Sequence, residues 1–302
     1  MTTAKSVGFV EVGPRDGLQN ESMIVSTRDK IELITRALAA GVKRIEVASF
    51  VRADLVPQMA DGEDVVRALP DDNGVSYIGL VLNQKGAARA LETRVHELGA
   101  VATATDSFGQ RNQGQTRDQS VDVSNAIVRM AHAAGRKGQV TISVAFGCPF
   151  EGEVPPDRVI AMAKRLADSK PVEIAIADTI GVAVPPQVTE LVTRVREAIA
   201  PIPVRVHFHN TRNTALANVW AAYEAGASVI DASIGGLGGC PFAPKATGNV
   251  PSEDVAYLLA RSGVETGLDL AKLIDTANWL SSVMGKPLPG AVSRAGGFPP
   301  AR

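Results

Sequence analysis

His207 and His209 stand one residue apart in the run Val204-Arg205-Val206-His207-Phe208-His209. On an extended strand this spacing puts both imidazoles on one face, where they can share one metal ion. A pair of hydrogen-bonded histidines in a polar layer would show the same spacing. A second chemical cluster follows the first apolar run, in Gly13-Pro14-Arg15-Asp16-Gly17. Asp16 offers a hard oxygen ligand. Arg15 is either a turn residue or a fixed cation set to meet developing negative charge. Asn249 offers an amide oxygen near the end of the strand-rich region. Glu46, Asp178 and Glu253 are candidates to orient these ligands or Arg15, since a ligating imidazole usually donates its other N–H. Residues 235–242 read Gly-Gly-Leu-Gly-Gly-Cys-Pro-Phe. That composition predicts a mobile loop carrying Cys240 over the site. An unperturbed thiol, with a pKa of about 8.5, stays mostly protonated at neutral pH and can give or take a proton. An inert buried thiol is the alternative. Cys148 lies in a second Cys-Pro-Phe tripeptide without the glycines and is assigned a structural role.

Positioning these groups requires a scaffold. Short β-branched runs alternate with longer helical patterns along the chain, giving strands near 8–13, 44–50, 76–82, 100–106, 139–146, 172–179, 204–209 and 228–234. Helices are expected near 27–40, 62–69, 84–98, 119–134, 156–168, 186–200, 214–225 and 252–261. Ser26 or Thr27 punctuates the first start, and Gly41, Gly99, Gly135 and Gly226 punctuate four ends. Eight strand-helix units in about 250 residues fit a closed TIM (β/α)8 barrel better than an open sheet of five or six strands. Residues 1–262 form the barrel in this reading, and 263–302 add a helix near 269–283 and a loosely ordered Gly/Pro-rich tail.

In such a barrel the chemistry sits where strands end. Arg15 and Asp16 follow strand one, Glu46 lies in strand two, Asp106 ends strand four and Asp178 strand six. Closure puts strand eight between strands seven and one, so Asp16, His207, His209 and Asn249 can converge. One carboxylate, two imidazoles and an amide oxygen, with no thiolate, suit Mg2+ or Mn2+ with open positions. Fe(II) in a two-histidine, one-carboxylate triad is the runner-up, and Zn2+ is less favoured.

Composition excludes several other classes. With 31 Lys+Arg against 32 Asp+Glu the chain has no field that recruits nucleic acid or an anionic membrane, and its apolar runs are too short to span a bilayer. Two cysteines make no disulfide scaffold, and the first residues lack a secretory or transit signal, so a reducing cytoplasm is expected.

Taken together, the chain resembles the 3-hydroxy-3-methylglutaryl-CoA lyases. The resemblance rests on Glu11-Val12-Gly13-Pro14-Arg15-Asp16-Gly17-Leu18-Gln19-Asn20, on Ile45-Glu46-Val47-Ala48-Ser49-Phe50-Val51 and on Gly147-Cys148-Pro149-Phe150-Glu151-Gly152. It continues through Ala177-Asp178-Thr179-Ile180-Gly181, His207-Phe208-His209, the glycine loop and Gly248-Asn249. It implies Asp16, His207, His209 and Asn249 as metal ligands, Arg15 as charge stabiliser and Cys240 as the proton-transfer cysteine. Glu46, Asp178 and Glu253 take supporting roles. It further implies an acyl-CoA substrate, a homodimer, a place in leucine degradation, and retro-Claisen cleavage to acetyl-CoA and acetoacetate.

The sequence departs from those lyases at His209-Asn210-Thr211-Arg212-Asn213, where they usually carry His-Asp-Thr and a glycine two residues later. Asn210 would remove a negative charge near the metal. This keeps open a longer-branched 3-hydroxyglutaryl-CoA or citramalyl-CoA as substrate, or a Claisen-type synthase. Those synthases generally carry Glu where Leu18 stands and lack the Gly-Gly-Cys-Pro loop. A catalytically silent barrel that binds metal or acyl-CoA is the alternative from another class.

Overall fold

The computed structural model describes residues 5–71, 74–239 and 248–299. Eight parallel strands close into a barrel: Gly8–Glu11, Arg44–Ser49, Ser76–Val81, Glu97–Thr103, Lys137–Ser143, Ile174–Asp178, Val204–Phe208 and Val229–Ala232, here numbered one to eight. Strand eight lies between strands seven and one, with Arg205 opposite Val229 and Val229 opposite Gly8. The expected fold is therefore the observed one. Helices α1 (Thr27–Ala39), α2 (Gly62–Ala68), α3 (Gln84–Leu91), α4 (Asp106–Gln113), α5 (Arg117–Ala133), α6 (Pro156–Ala167), α7 (Pro185–Ile199), α8 (Ala215–Glu224) and α9 (Ser252–Arg261) surround the barrel, followed by α10 (Leu270–Met284) and α11 (Val292–Ala295). Among the described residues no helix is long and apolar enough to cross a membrane.

Several boundaries differ from the sequence expectation. The helix expected to reach residue 98 stops at Leu91, because Glu97 already pairs with Ile78 in the sheet. Gly99 consequently sits inside strand four rather than after a helix, and strand four ends at Thr103. Asp106 starts α4, and its carboxylate accepts from the Arg117 N–H at 2.7 Å. The tail expected to be loose is pinned: Asp254 accepts from the Ala291 and Val292 N–H groups, and the Gly290 N–H donates to the Gly235 carbonyl. Lys5–Ser6 pairs with Val264–Glu265, tying the start of the described chain to the segment after α9.

The main hydrophobic core lies between the strands and the helices. Barrel interiors of this type are usually filled by branched apolar side chains. Here Val10, Val12 and Ile78, with Val229 against them, form a small apolar cluster apart from the main core. Polar residues fill much of the remainder. Arg44 of strand two donates to Glu97 of strand four and Glu173 before strand six, contacts that only a path across the interior allows.

Glu11, at the end of strand one and fully buried, holds the top of the barrel to the loop after strand eight. It accepts from the Gly13 N–H at 2.7 Å, the Ile234 N–H at 3.0 Å and the Ser252 hydroxyl at 2.6 Å. Burial pushes its carboxyl up to about 8, against the pull of those donors and with some help from Glu253. A raised folded pKa contributes stability that is complete below about 4.5 and disappears as pH climbs through about 8. Melting temperature should therefore fall between pH 6 and 9. Glu11→Gln stays neutral, can accept from Gly13 and Ile234 while donating to Ser252, and should flatten that fall by several degrees, at ~2–4 °C per kcal/mol. Melting curves across this range check it, and an unchanged slope in the variant contradicts it.

Candidate active site

Pro14 leads the chain from strand one into a single π-helical turn, Gly13–Gly17, in which the N–H groups of Arg15, Asp16 and Gly17 all converge on the Val12 carbonyl. Such tight irregular turns are frequent at functional sites. This one lifts Asp16 over the barrel mouth. Strand seven delivers His207, and His209 follows at its end, with its N–H donating to the Asp178 carbonyl at 3.2 Å. The Nε2 atoms of both histidines stand 3.9 Å from Asp16 Oδ2. Ligand atoms of Asp16, His207 and His209 all lie within 4.8 Å of one another.

Asn249 completes the group. Its Nδ2 donates to Asp16 Oδ2 at 2.8 Å and to the Leu237 carbonyl at 3.0 Å, which turns Oδ1 the other way. That oxygen is buried and has no hydrogen-bond partner among the described residues. A buried acceptor without a donor is costly unless something positive meets it. Gly238, at φ 108°, lets the glycine loop lie against this amide, since a Cβ there would come within 2.6 Å of Asn249 Nδ2.

Arg15 is fixed on two sides. Its Nε donates to Glu46 Oε2 at 2.7 Å and its Nη1 to Asp16 Oδ1 at 2.6 Å. Burial alone would raise the Asp16 carboxyl, but Arg15, the two histidines and the Asn249 amide outweigh it and hold the group well below the usual range. Asp16 is an anion at any physiological pH. Burial likewise opposes charge on His207, yet the Asp231 contact and Asp16 raise its pKa.

The donor set fits a divalent cation. One carboxylate and two imidazoles with ligand atoms within 4.8 Å of one another are donors that suit such an ion.

Above the cluster opens a cleft of about 850 Å³ counted out to its mouth, with Leu80, Leu82, Val101 and Phe108 as apolar lining and Asn112, Thr141, Ser143 and Thr179 as neutral polar lining. Gln19, beside Arg15 and Asp16, also faces it, with a buried side-chain oxygen.

The other residues singled out from sequence divide. Glu46 holds Arg15, as described. Asp178 does not reach the imidazoles or Arg15 with its carboxylate, which accepts from the Val182 and Ala183 N–H groups at 2.9 Å each; its backbone carbonyl is what supports His209. Glu253 also lies away from the ligands, because the Gly235 N–H at the base of the glycine loop claims it at 3.0 Å. Burial pushes its carboxyl up to about 7. Cys240 lies outside the described residues. Cys148 is buried, and its sulfur accepts from the Thr105 hydroxyl at 3.1 Å. Asn210 was expected to change the charge beside the metal. Its side-chain oxygen accepts from the Ala215 N–H at the start of α8. Asn213 takes φ 58°, the left-handed conformation a glycine would offer there.

Asp231 was not singled out from sequence. Its carboxylate oxygen Oδ2 lies 3.2 Å from His207 Nδ1. The available signal was an aspartate inside the apolar run Val229-Ile230-Asp231-Ala232, two positions from Ser233.

A family described as HMGL-like matches residues 6–280. An (R)-citramalyl-CoA lyase of Chloroflexus aurantiacus is 41% identical, with 97% of this chain and 95% of that protein covered. A 3-hydroxy-3-isohexenylglutaryl-CoA/hydroxy-methylglutaryl-CoA lyase of Pseudomonas aeruginosa is 40% identical, with 95% of each covered. Among solved structures, an HMG-CoA lyase of A. baumannii in complex with coenzyme A and 3-methylmalate superposes with a TM-score of 0.95 at 38% identity, covering 100% of this chain and 99% of the other.

Proposed function

This chain belongs to the HMGL-like family, and from that premise we propose that it is a divalent-cation-dependent carbon–carbon lyase of 3-hydroxy-3-methylglutaryl-CoA. The thioester breaks into acetyl-CoA and acetoacetate. The observation that carries this reading is the convergence of Asp16, His207 and His209, with the Asn249 amide bonded to Asp16, beside a fixed Arg15 at the barrel mouth.

Asp16 as an anion and both Nε2 atoms would hold Mg2+ or Mn2+, with Asn249 as the fourth ligand that the resemblance implies. When bound, such an ion acidifies the substrate's tertiary hydroxyl, and loss of that proton drives cleavage of the neighbouring carbon–carbon bond. The electron pair of the broken bond moves to the thioester enolate. Arg15, held by Glu46 and Asp16, meets the enolate oxygen with a charge that needs no reorganisation. Cys240, carried by the glycine loop, supplies the proton that turns the enolate carbon into the methyl group of acetyl-CoA. The neutral lining of Asn112, Thr141, Ser143 and Thr179 hydrogen-bonds the acyl chain. Glu253 and Asp178 act at a distance, one under the loop and one under His209. We extend the same reading, on the strength of the resemblance, to a cytoplasmic homodimer acting in leucine degradation. Residues 263–302 serve as an appendage to a single catalytic domain.

The 41% identity to a citramalyl-CoA lyase favours a second reading, in which the distal carboxylate sits one methylene closer to the carbinol and the products are acetyl-CoA and pyruvate. Parallel assays with both thioesters and added Mn2+ separate them. Hydroxymethylglutaryl-CoA is expected to give the higher kcat/KM by at least ~10-fold, about 1.4 kcal/mol of transition-state preference. The reverse order would move the assignment to citramalyl-CoA. Turnover confined to condensation with a 2-oxoacid would overturn the lyase reading.

A further inference from the structure

The polar interior of the barrel is one connected chain of ion pairs that ends on a ligand. At its lower end Arg44 grips Glu97 and Glu173 with four hydrogen bonds of 2.7–3.1 Å. Glu173 Oε1 lies 3.1 Å from Arg205 Nε. Arg205, 1% exposed, reaches Asp231 Oδ1 at 3.2 Å and the Thr141 hydroxyl at 3.1 Å. The other oxygen of Asp231 faces His207 Nδ1 at 3.2 Å.

Each link limits the next. Asp231 can present one oxygen to His207 because Arg205 occupies the other. Arg205 cannot swing away, since Glu173, before the neighbouring strand six, and Thr141 of strand five hold it. An imidazole that donates Nδ1–H to a fixed carboxylate keeps the lone pair on Nε2, the atom aimed at Asp16. Placing buried charges along this route is expensive, and apolar residues of similar volume usually serve a core at least as well. The expense is explained if the chain has a task besides filling the barrel.

We propose that Arg205 and Asp231 are positioning residues: Arg205 anchors Asp231, and Asp231 fixes the tautomer and orientation in which His207 meets the cation. This rests on the reading of Asp16, His207, His209 and Asn249 as a cation site. The test is Mn2+ binding to metal-free protein, followed by electron paramagnetic resonance, for the parent, Asp231→Asn and Arg205→Lys. Asp231→Asn keeps the shape and should weaken Mn2+ binding by about 10- to 100-fold. Arg205→Lys loses the two-sided grip and should weaken it by at least ~10-fold with the fold intact by circular dichroism. Nitrogen-15 spectra of histidine-labelled, metal-free protein, taken at a pH where the imidazole is neutral, add a readout that bulk stability does not move. His207 should hold its proton on Nδ1 in the parent and distribute it over both nitrogens in Asp231→Asn. Variants that bind Mn2+ within twofold of the parent and keep the parent's tautomer overturn the proposal, even if they melt at lower temperature. Should Arg205→Lys fail to fold, the Asp231→Asn result decides. A parent that binds no Mn2+ would instead fail the cation-site reading itself.

Discussion

Arg15→Gln should lower kcat by about three orders of magnitude while Mn2+ still binds. The guanidinium is half-buried in the mouth and held by Glu46 Oε2 at 2.5 Å and by Asp16 Oδ1 at 2.6 Å, fixed in the place the proposal gives to the enolate oxygen's partner. Loss of one neutral donor from an oxyanion site costs about 10²–10³ in rate, and a charged donor in a low-dielectric site sits at or above the upper end. KM should change less, because the enolate exists only after the bond begins to break. Glutamine also strands Glu46, so some stability is lost with the rate. Pairing Arg15→Gln with Glu46→Gln removes that unpaired charge. The double variant should regain melting temperature but not turnover. Single-turnover release of acetyl-CoA measures the step directly, and a rate within ~10-fold of the parent would contradict the role given to Arg15.

Asp16→Asn carries the second large effect. Asp16 is the one carboxylate that touches Arg15 and Asn249 while standing 3.9 Å from both imidazoles. Its charge is also what the surrounding cations and amide keep below the ordinary carboxylate range, so protonation does not weaken it at working pH. The amide is nearly isosteric but neutral. Mn2+ affinity should fall by at least ~100-fold and thioester cleavage should vanish at ordinary cation concentrations, returning in part when Mn2+ is raised well above the parent's Kd. Titration of metal-free variant and parent side by side checks this. Equal affinities would remove Asp16 from the ligand set.

The architecture was readable because each of the eight repeats carries its own β-branched run and helical stripe, and because barrel chemistry concentrates at strand ends. Asp16, His207, His209 and Asn249 converge in the structure from positions up to 233 residues apart, and knowing that strand eight lies between seven and one was enough to bring them together. What the sequence hid depends on stagger and on competition for hydrogen bonds. Arg205 and Asp231 sit inside apolar runs, and their partners Glu173, Thr141 and His207 are chosen by the register across the interior. Asp178 and Glu253 have the right chemistry and the right neighbourhood, but backbone N–H groups claim their carboxylates. Helix α4 reads Asp-Ser-Phe-Gly-Gln-Arg-Asn-Gln, too polar to show a core-facing stripe. The tail looked loose because its composition gives no periodic signal, while its anchors, Asp254 on the Ala291 and Val292 N–H groups and the Gly290 N–H on Gly235, are few and lie far away in sequence.

Cation dependence is the claim on which the rest stands, and one measurement tests it most directly. Protein stripped with a chelator is titrated with Mn2+, and bound ion and hydroxymethylglutaryl-CoA cleavage are followed in the same samples. The account predicts one ion per chain, with activity rising from zero in proportion to occupancy. Stripped protein that cleaves as fast as loaded protein, or that takes up no Mn2+ while remaining active, would contradict it.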